Sequence, residues 1–300
     1  MLFKIKTNIR RAFIGRLHIN RPTSYPFISG DGFRSLAQHR FDDLSNIRPE
    51  DVEKNDIIFV RTDFLKEFFE EKHAYIKNPY ILVSHNADTE ITKEYKKYID
   101  DKIIHWFAQN VLLKHEKLTP IPIGVTNYHY VKTIGRGKIY DLQKNIVGKD
   151  TVEKISNKIS FGFSYDPKCL TPRSLARMAL EKQLLENKNF ERIKTDTQSE
   201  YYKKLSHYYL TVSPEGSGVD CYRTWESMCL GVVPIVKRSI ATEYFKSMNL
   251  PLFIVDDWSE LKNLDVNSLS TKYNELKNGF DNPAIYMGYW MDLIVSKRLK

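Results

Sequence analysis

The chain is poor in cysteine, with three in 300 residues: Cys169, Cys221 and Cys229. They share no metal-ligand spacing and make an odd count, which argues against a disulfide framework and for a reduced, cytoplasmic setting. No run of about 18 apolar residues occurs, so no transmembrane helix is expected. The opening MLFKIKTNIRRAFIGRLHINRP lacks the apolar core and small-residue cleavage site of a secretory signal. Neither a Walker A loop nor a Gly-x-Ser-x-Gly elbow is present, which leaves P-loop NTPase and serine hydrolase readings without support. No familiar nucleic-acid module is legible, so nucleic acid is not an expected partner. His105, His115, His129 and His207 are scattered without metal spacing and read as structural.

What is present is a globular composition. The chain is 42% hydrophobic and 28% charged, enough to bury a core and too apolar for disorder. Aromatics make up 13%, with 18 Tyr and 16 Phe, which suits sugar faces as well as core. The formal net charge of +9 fits nucleic acid, an anionic membrane surface or a phosphorylated small molecule. On a helix, Leu2, Ile5, Ile9, Phe13 and Leu17 form one apolar stripe, with Lys4, Lys6, Arg10, Arg11 and Arg16 mostly elsewhere. Such a basic amphipathic segment can lie on a membrane surface through residues 1–20. An ordinary first helix packed on its own domain is the other expectation.

Strand and helix patterns alternate along the chain. DIIFV (56–60), YILVSHN (80–86), KIIHWFAQN (102–110) and LTPIPIG (118–124) form a first series, with a helical stretch over 63–76. A polar, Lys-rich stretch from about Gly135 to Lys158 reads as a linker or a variable surface region. The alternation restarts at KISFGFS (158–164), with a helix opened by Pro172 behind Thr171 as cap. YYLTVSP (208–214), a helix stopped by Gly231, VVPIVK, a helix around Ala241–Met248 and LFIVDD (252–257) complete the second series. This predicts an α/β fold of two Rossmann-like domains facing a cleft. The expected domains are 1–150, 151–278 and a terminal helix, 279–300, packing back on the first.

Residues 213–236, SPEGSGVDCYRTWESMCLGVVPIV, are the most specific stretch. Ligands of open α/β sheets sit at the carboxyl ends of strands, and SPEGSG follows one strand and precedes a helix. Gly216 and Gly218, around Ser217 and after Ser213, let a backbone approach a ligand and tolerate positive φ. Asp220 is placed as the helix N-cap, and the helix N-terminus is a natural anion site. Arg223 in the first turn can grip a diphosphate bidentately. Glu226, one turn deeper on the same face, can accept both hydroxyls of a ribose. The residues therefore read as a nucleotide or sugar-nucleotide site, against the plainer reading of an i,i+3 surface salt bridge. Arg173, just inside the helix at Pro172, adds a cation.

This stretch resembles the donor-binding segment of exostosin-like glycosyltransferases, in which a Gly-rich loop, an Arg and a Glu precede a Gly-x-x-Pro turn and strand. IVDDW (254–258) sits where that family often has a similar element. ISGDGFR (28–34), ILVSHNAD (81–88) and WFAQN…PIPIGVTN (106–127) resemble more loosely the N-terminal half of small, stand-alone members. The resemblance implies a GT-B fold, a UDP-sugar donor such as UDP-xylose, a glycan acceptor and inversion at the anomeric carbon. Carried over, Arg223 would neutralise the leaving diphosphate and Glu226 would hold the ribose. The Asp-x-Asp of metal-dependent glycosyltransferases is missing, Asp88-Thr-Glu90 being the nearest approach. Cationic side chains and helix dipoles would then stabilise the leaving group without a metal.

Inverting transfer needs a general base, expected from the first domain. Asp31 in SGDGF, and His85 and Asp88 in SHNAD, are the candidates at strand ends. The plain alternatives are a turn residue for Asp31, a buried histidine bonded to a loop carbonyl for His85, and a cap on a helix starting at Glu90 for Asp88. Two rival functions stay open: a GDP-fucose-dependent fucosyltransferase of similar fold, and a non-catalytic glycan- or nucleotide-binding module.

Overall fold

The computed structural model describes residues 21–128, 134–146, 152–155, 157–165, 168 and 171–300. The basic amphipathic segment proposed for residues 1–20 lies outside them, as do Cys169 and His129.

The first series builds α1 (Gly30–Leu36), β1 (His39–Phe41), β2 (Ile57–Arg61), α2 (Leu65–Glu71), β3 (Tyr80–His85), β4 (Ile103–Ala108) and β5 (Leu118–Pro120). The five strands form one parallel sheet in the order β1-β2-β3-β4-β5. Its central strands are buried along almost their whole length, Tyr80–His85 at every position. This explains why they read as continuous apolar runs without alternation. Their polar groups are paired inside: the Trp106 indole donates to the Ser84 hydroxyl at 2.9 Å.

The second series builds α3 (Ile134–Ile146), β6 (Ile159–Phe161), α4 (Pro172–Leu185), β7 (Phe190–Arg192), α5 (Gln198–Leu205), β8 (Leu210–Val212), α6 (Tyr222–Cys229), β9 (Val233–Lys237), α7 (Ile240–Ser247), β10 (Phe253–Val255) and α8 (Leu269–Leu276). The sheet is again all parallel, ordered β10-β9-β8-β6-β7. From β6 the chain moves outward to β7, then returns to the opposite side of β6 for β8. This is the doubly wound order 2-1-3-4-5, and its switch point lies between β6 and β8, where such sheets open a crevice at their carboxyl edge.

The chain divides into two units, one of residues 1–123, 127–129 and 286–300, the other of 124–126 and 130–285. The expected α/β class with parallel sheets is the observed one. The first part of the stretch read as a linker or variable surface region is instead the helix α3, which packs on α5 and α6. Its polar, Lys-rich face masked a helix whose few apolar residues, Ile139 and Leu142, are buried. The aromatic C-terminal segment forms a helix only over α9 (Met287–Val295), after short 3₁₀ turns. Within the first unit α9 packs on α1, and a Cβ added at Gly32 would stand 2.8 Å from the Met287 sulfur.

Glycine decides one helix end. At Gly231 φ is 68°, the left-handed conformation that L side chains disfavour. There Val232 N donates to Ser227 O and Gly231 N to Met228 O, a Schellman stop for α6.

Candidate functional site

The loop after β8 is held from below. Ser213 is buried and its hydroxyl bonds Thr224 Oγ1 at 2.9 Å and Cys221 Sγ at 3.2 Å. Asp220 accepts from Cys221 N and from the Trp225 indole, each at 2.8 Å. The expected N-cap at Asp220 is corrected by one residue, because α6 begins at Tyr222 with Cys221 in the cap position. Asp220 instead spends its two oxygens on the loop and on a core tryptophan. Gly216 and Gly218 do not use the positive φ that glycine tolerates: among the described residues, glycines with positive φ are Gly124 and Gly231. A Cβ on Gly216 would meet Asp220 O at an ordinary 3.4 Å.

Above this loop is a cleft of about 940 Å³, lined by Ser164 and Tyr165 after β6, by Thr171, Pro172, Arg173, Ser174 and Arg177 of α4, and by Glu215, Ser217 and Arg223. These elements flank the gap between β6 and β8, which places the cleft at the switch point of the second sheet. Three arginines converge on it and each grips the loop by a carbonyl. Arg173 donates to Ser217 O at 3.0 Å, Arg177 to Glu215 O at 3.2 Å and Arg223 to Pro214 O at 3.1 Å. The buried Nε of Arg223 has no hydrogen-bond partner. The N-terminus of α4 opens on the same cleft, with Thr171 accepting from Ser174 N. Cations, helix N–H groups and a positive dipole end together make a site for a polyanion. Arg173, Ser217 and Arg223 were legible as candidates; Arg177 and Tyr165 were not. Arg177 is one turn on from Arg173, so the i,i+4 spacing was the available signal.

Glu226 lies deeper. It is 4% exposed and is not among the residues lining the cleft. Burial raises its pKa, opposed by the charge of Lys138, a hydrogen bond from Tyr202 and the charge of Arg223. Burial outweighs these opposing groups, so the net displacement of the Glu226 carboxyl is upward.

In the first unit, Asp31, Asn86 and Asn127 close a ring of hydrogen bonds. Asn86 Nδ2 donates to Asp31 Oδ1 at 3.2 Å, Asn127 Nδ2 to Asn86 Oδ1 at 2.9 Å, and Asp31 N to Asn127 Oδ1 at 2.8 Å. Asp31 is 1% exposed and lies 3.7 Å from the Arg21 guanidinium. Arg21 also pairs with Asp43, which neighbours Arg61 at the end of β2, and Arg61 pairs with Asp63. The carboxyl edge of the first sheet thus carries a chain of alternating charges. Arg21, Asn86 in its supporting role and Asn127 could not be found by spacing, since the ring joins residues far apart in sequence.

His85 is fully enclosed. Its Nε2 donates to Pro122 O at 3.0 Å and its Nδ1 accepts from Asn86 N at 2.7 Å. Burial pushes the imidazole down to about 4. With both nitrogens engaged and the ring neutral, the geometry suits holding the loop and does not suit taking a proton. Asp88 is exposed, and no helix begins at Glu90; a 3₁₀ helix starts at Lys93 behind Thr92, so Asp88 caps nothing. Its charge helps burial and Asp43 raise the pKa of Asp63, against Arg61.

This edge gives two measurable expectations. Below its unfolded value of about 6.5, the unfolded chain binds a proton at His85 that the folded chain refuses until about 4. The folded protein is therefore expected to lose on the order of 3 kcal/mol of stability as pH falls from 6.5 to 4. Denaturant titrations of wild type and His85→Gln across that range would show it, with a flatter profile in the variant. Gly30→Ala would place a Cβ 1.7 Å from Asn86 Oδ1 and 2.5 Å from His85 Nδ1. The ring must open, at a cost of about 1–3 kcal/mol. A lower melting temperature with UDP affinity unchanged is the expected result.

Among the described residues, no group of three or more His, Cys, Asp or Glu could hold a metal ion. No helix among them is long and apolar enough to cross a membrane.

Residues 173–279, about a third of the chain, match the family model described as the RXYLT1 C-terminal domain. The match covers Arg173, Arg177 and Arg223 and the whole of 213–236, while Ser164, Tyr165, Thr171 and Pro172 of the cleft lie outside it. No curated protein matches the chain. Among solved structures, an α,α-trehalose-phosphate synthase (UDP-forming) from Burkholderia vietnamiensis is similar at 10% identity and TM-score 0.44, covering 83% of this chain and 70% of that one. A glycosyltransferase from Rickettsia africae ESF-5 is similar at 10% identity and TM-score 0.38, covering 81% and 76%. Both scores lie below 0.5, so neither likeness carries weight for the chemistry of the site.

Proposed function

We propose that this chain, an exostosin-like glycosyltransferase, moves a sugar from a UDP-sugar such as UDP-xylose to a hydroxyl of a glycan, with inversion and without a metal. The observation that carries the donor half is the convergence of Arg173, Arg177 and Arg223 on a cleft at the switch point of the second sheet. A diphosphate in that cleft meets guanidinium groups already fixed by the loop carbonyls, and the unpartnered Nε of Arg223 is a donor for it. Charge that develops on the leaving nucleotide is met by guanidinium groups and the α4 N-terminus already in place, which is where electrostatic catalysis gains most. Glu226 is the carboxylate proposed for the ribose hydroxyls. Its burial means the ribose must reach below the first turn of α6.

Asp31 is the proposed general base. It takes the proton of the acceptor hydroxyl as the new C–O bond forms and the bond from the anomeric carbon to the phosphate oxygen breaks. The ring through Asn86 and Asn127 fixes the carboxylate, and the Arg21 guanidinium stands 3.7 Å from it. His85 supports the ring from beneath. The proposal takes the two-sheet chain as a GT-B enzyme.

A thermal-shift panel of UDP, GDP, CMP and their sugar conjugates tests the donor class. Excess UDP, about 100 times its dissociation constant, should stabilise the protein by roughly 2.7 kcal/mol. A shift with GDP alone would favour a fucosyltransferase. A shift with UDP but no hydrolysis of any UDP-sugar and no transfer would favour a binding module. No shift with any nucleotide would sink the reading.

A further inference from the structure

The arginines of the cleft account for a diphosphate and Glu226 for the ribose, which leaves the nucleobase without a partner. Among the described lining residues the aromatic one is Tyr165, on the loop after β6. Its hydroxyl donates to Glu181 Oε2 at 2.7 Å. Glu181, on α4, is buried, and its other oxygen forms an ion pair of 2.6 Å with Arg192 at the end of β7.

This arrangement has a cost that packing does not require. A half-buried tyrosine at a cleft wall could leave its hydroxyl in water, and Glu181 could be an apolar residue of the α4 core face. Instead a carboxylate is buried, and burial of a charge is unfavourable unless it is paired. The pairing comes from Arg192 on one oxygen and Tyr165 on the other. The phenol ring is thereby held at its hydroxyl by α4, through a carboxylate that Arg192 at the end of β7 pins in turn. A ring so restrained loses little further freedom when something planar lies against it.

We propose that Tyr165 is the stacking platform for the nucleobase, with Glu181 and Arg192 as positioning residues that set its plane. The assignment rests on the nucleotide reading given above and adds the base subsite to it. Each part of the ligand then has its own wall. The diphosphate lies against Arg173, Arg177 and Arg223, and the base lies on the ring after β6, across the switch point from the β8 loop. Stacking of this kind tolerates different bases because every base has a π face, so the platform provides affinity, and the choice between uracil and guanine falls to other groups.

The test compares binding of UDP, GDP and inorganic pyrophosphate to wild type, Tyr165→Ala, Tyr165→Phe and Glu181→Gln, together with each variant's melting temperature without ligand. Tyr165→Ala should weaken the preferred nucleotide on the order of ten- to a hundredfold while pyrophosphate binding stays within about twofold of wild type. Tyr165→Phe keeps the ring and loses its anchor, so it should weaken the nucleotide less than alanine does, again sparing pyrophosphate. Glu181→Gln should behave like Tyr165→Phe. A merely structural clamp would lower the melting temperature and weaken pyrophosphate and nucleotide together, and that outcome overturns the proposal. Unchanged nucleotide binding in Tyr165→Ala overturns it as well, as does loss confined to UDP-sugars with UDP itself unaffected, since the ring would then face the sugar. If wild type binds pyrophosphate but no nucleotide, the failure belongs to the underlying nucleotide reading.

Discussion

Arg223→Ala is expected to abolish the thermal stabilisation given by UDP and to lower sugar transfer by about 10²–10³-fold, the usual cost of removing one preorganised charge donor. The residue is placed for this twice over. Its Nη2 already holds Pro214 O, fixing the loop, while its buried Nε has no hydrogen-bond partner. A buried donor left unpaired is unfavourable, and an incoming phosphate oxygen relieves it. Arg223→Lys should restore little, because an ammonium cannot hold the loop carbonyl and a phosphate with one planar fork. Thermal shift and steady-state transfer on both variants read the effect. Full UDP stabilisation in Arg223→Ala would show that the diphosphate is bound elsewhere.

Asp31→Asn is expected to separate chemistry from donor binding. Transfer should fall about 10²–10⁴-fold, the range for loss of a general base, with UDP affinity unchanged. Asparagine still offers Oδ1 to Asn86 Nδ2 and its own N–H to Asn127, so the ring can persist. What is lost is the negative charge beside Arg21. Steady-state kinetics paired with a UDP titration make the distinction. Transfer at the wild-type rate would remove Asp31 from the mechanism and direct attention along the same edge to Asp43 and Asp63.

The parts of the fold that were legible are those whose pattern is local. β2, β3 and β4 are buried along nearly their whole length and announce themselves as apolar runs; Thr171-Pro172 and Gly231 mark helix ends by the chemistry of single residues. The three-residue strands β1 and β7 are too short to show a period. Helix α3 was missed because only a narrow apolar stripe of it is buried, so its composition resembles a linker. The donor cleft was half legible. Arg223 and Ser217 stood in one contiguous stretch, whereas Arg177 and Tyr165 reach the same space through other turns of the chain. The Asp31–Asn86–Asn127 ring was the least legible, because each hydrogen bond joins segments separated by dozens of residues. His85 looked like a base from its place at a strand end. Only the carbonyl of Pro122 and the amide of Asn86, both brought there by tertiary folding, show that its nitrogens are occupied.

The central claim is that the switch point between β6 and β8 binds the nucleotide, and amide hydrogen exchange with and without UDP tests it most directly. UDP should slow exchange in the loop after β6, over residues 171–177, and through 213–223. Protection confined to the first unit, or none at a UDP concentration that raises the melting temperature, would contradict the account.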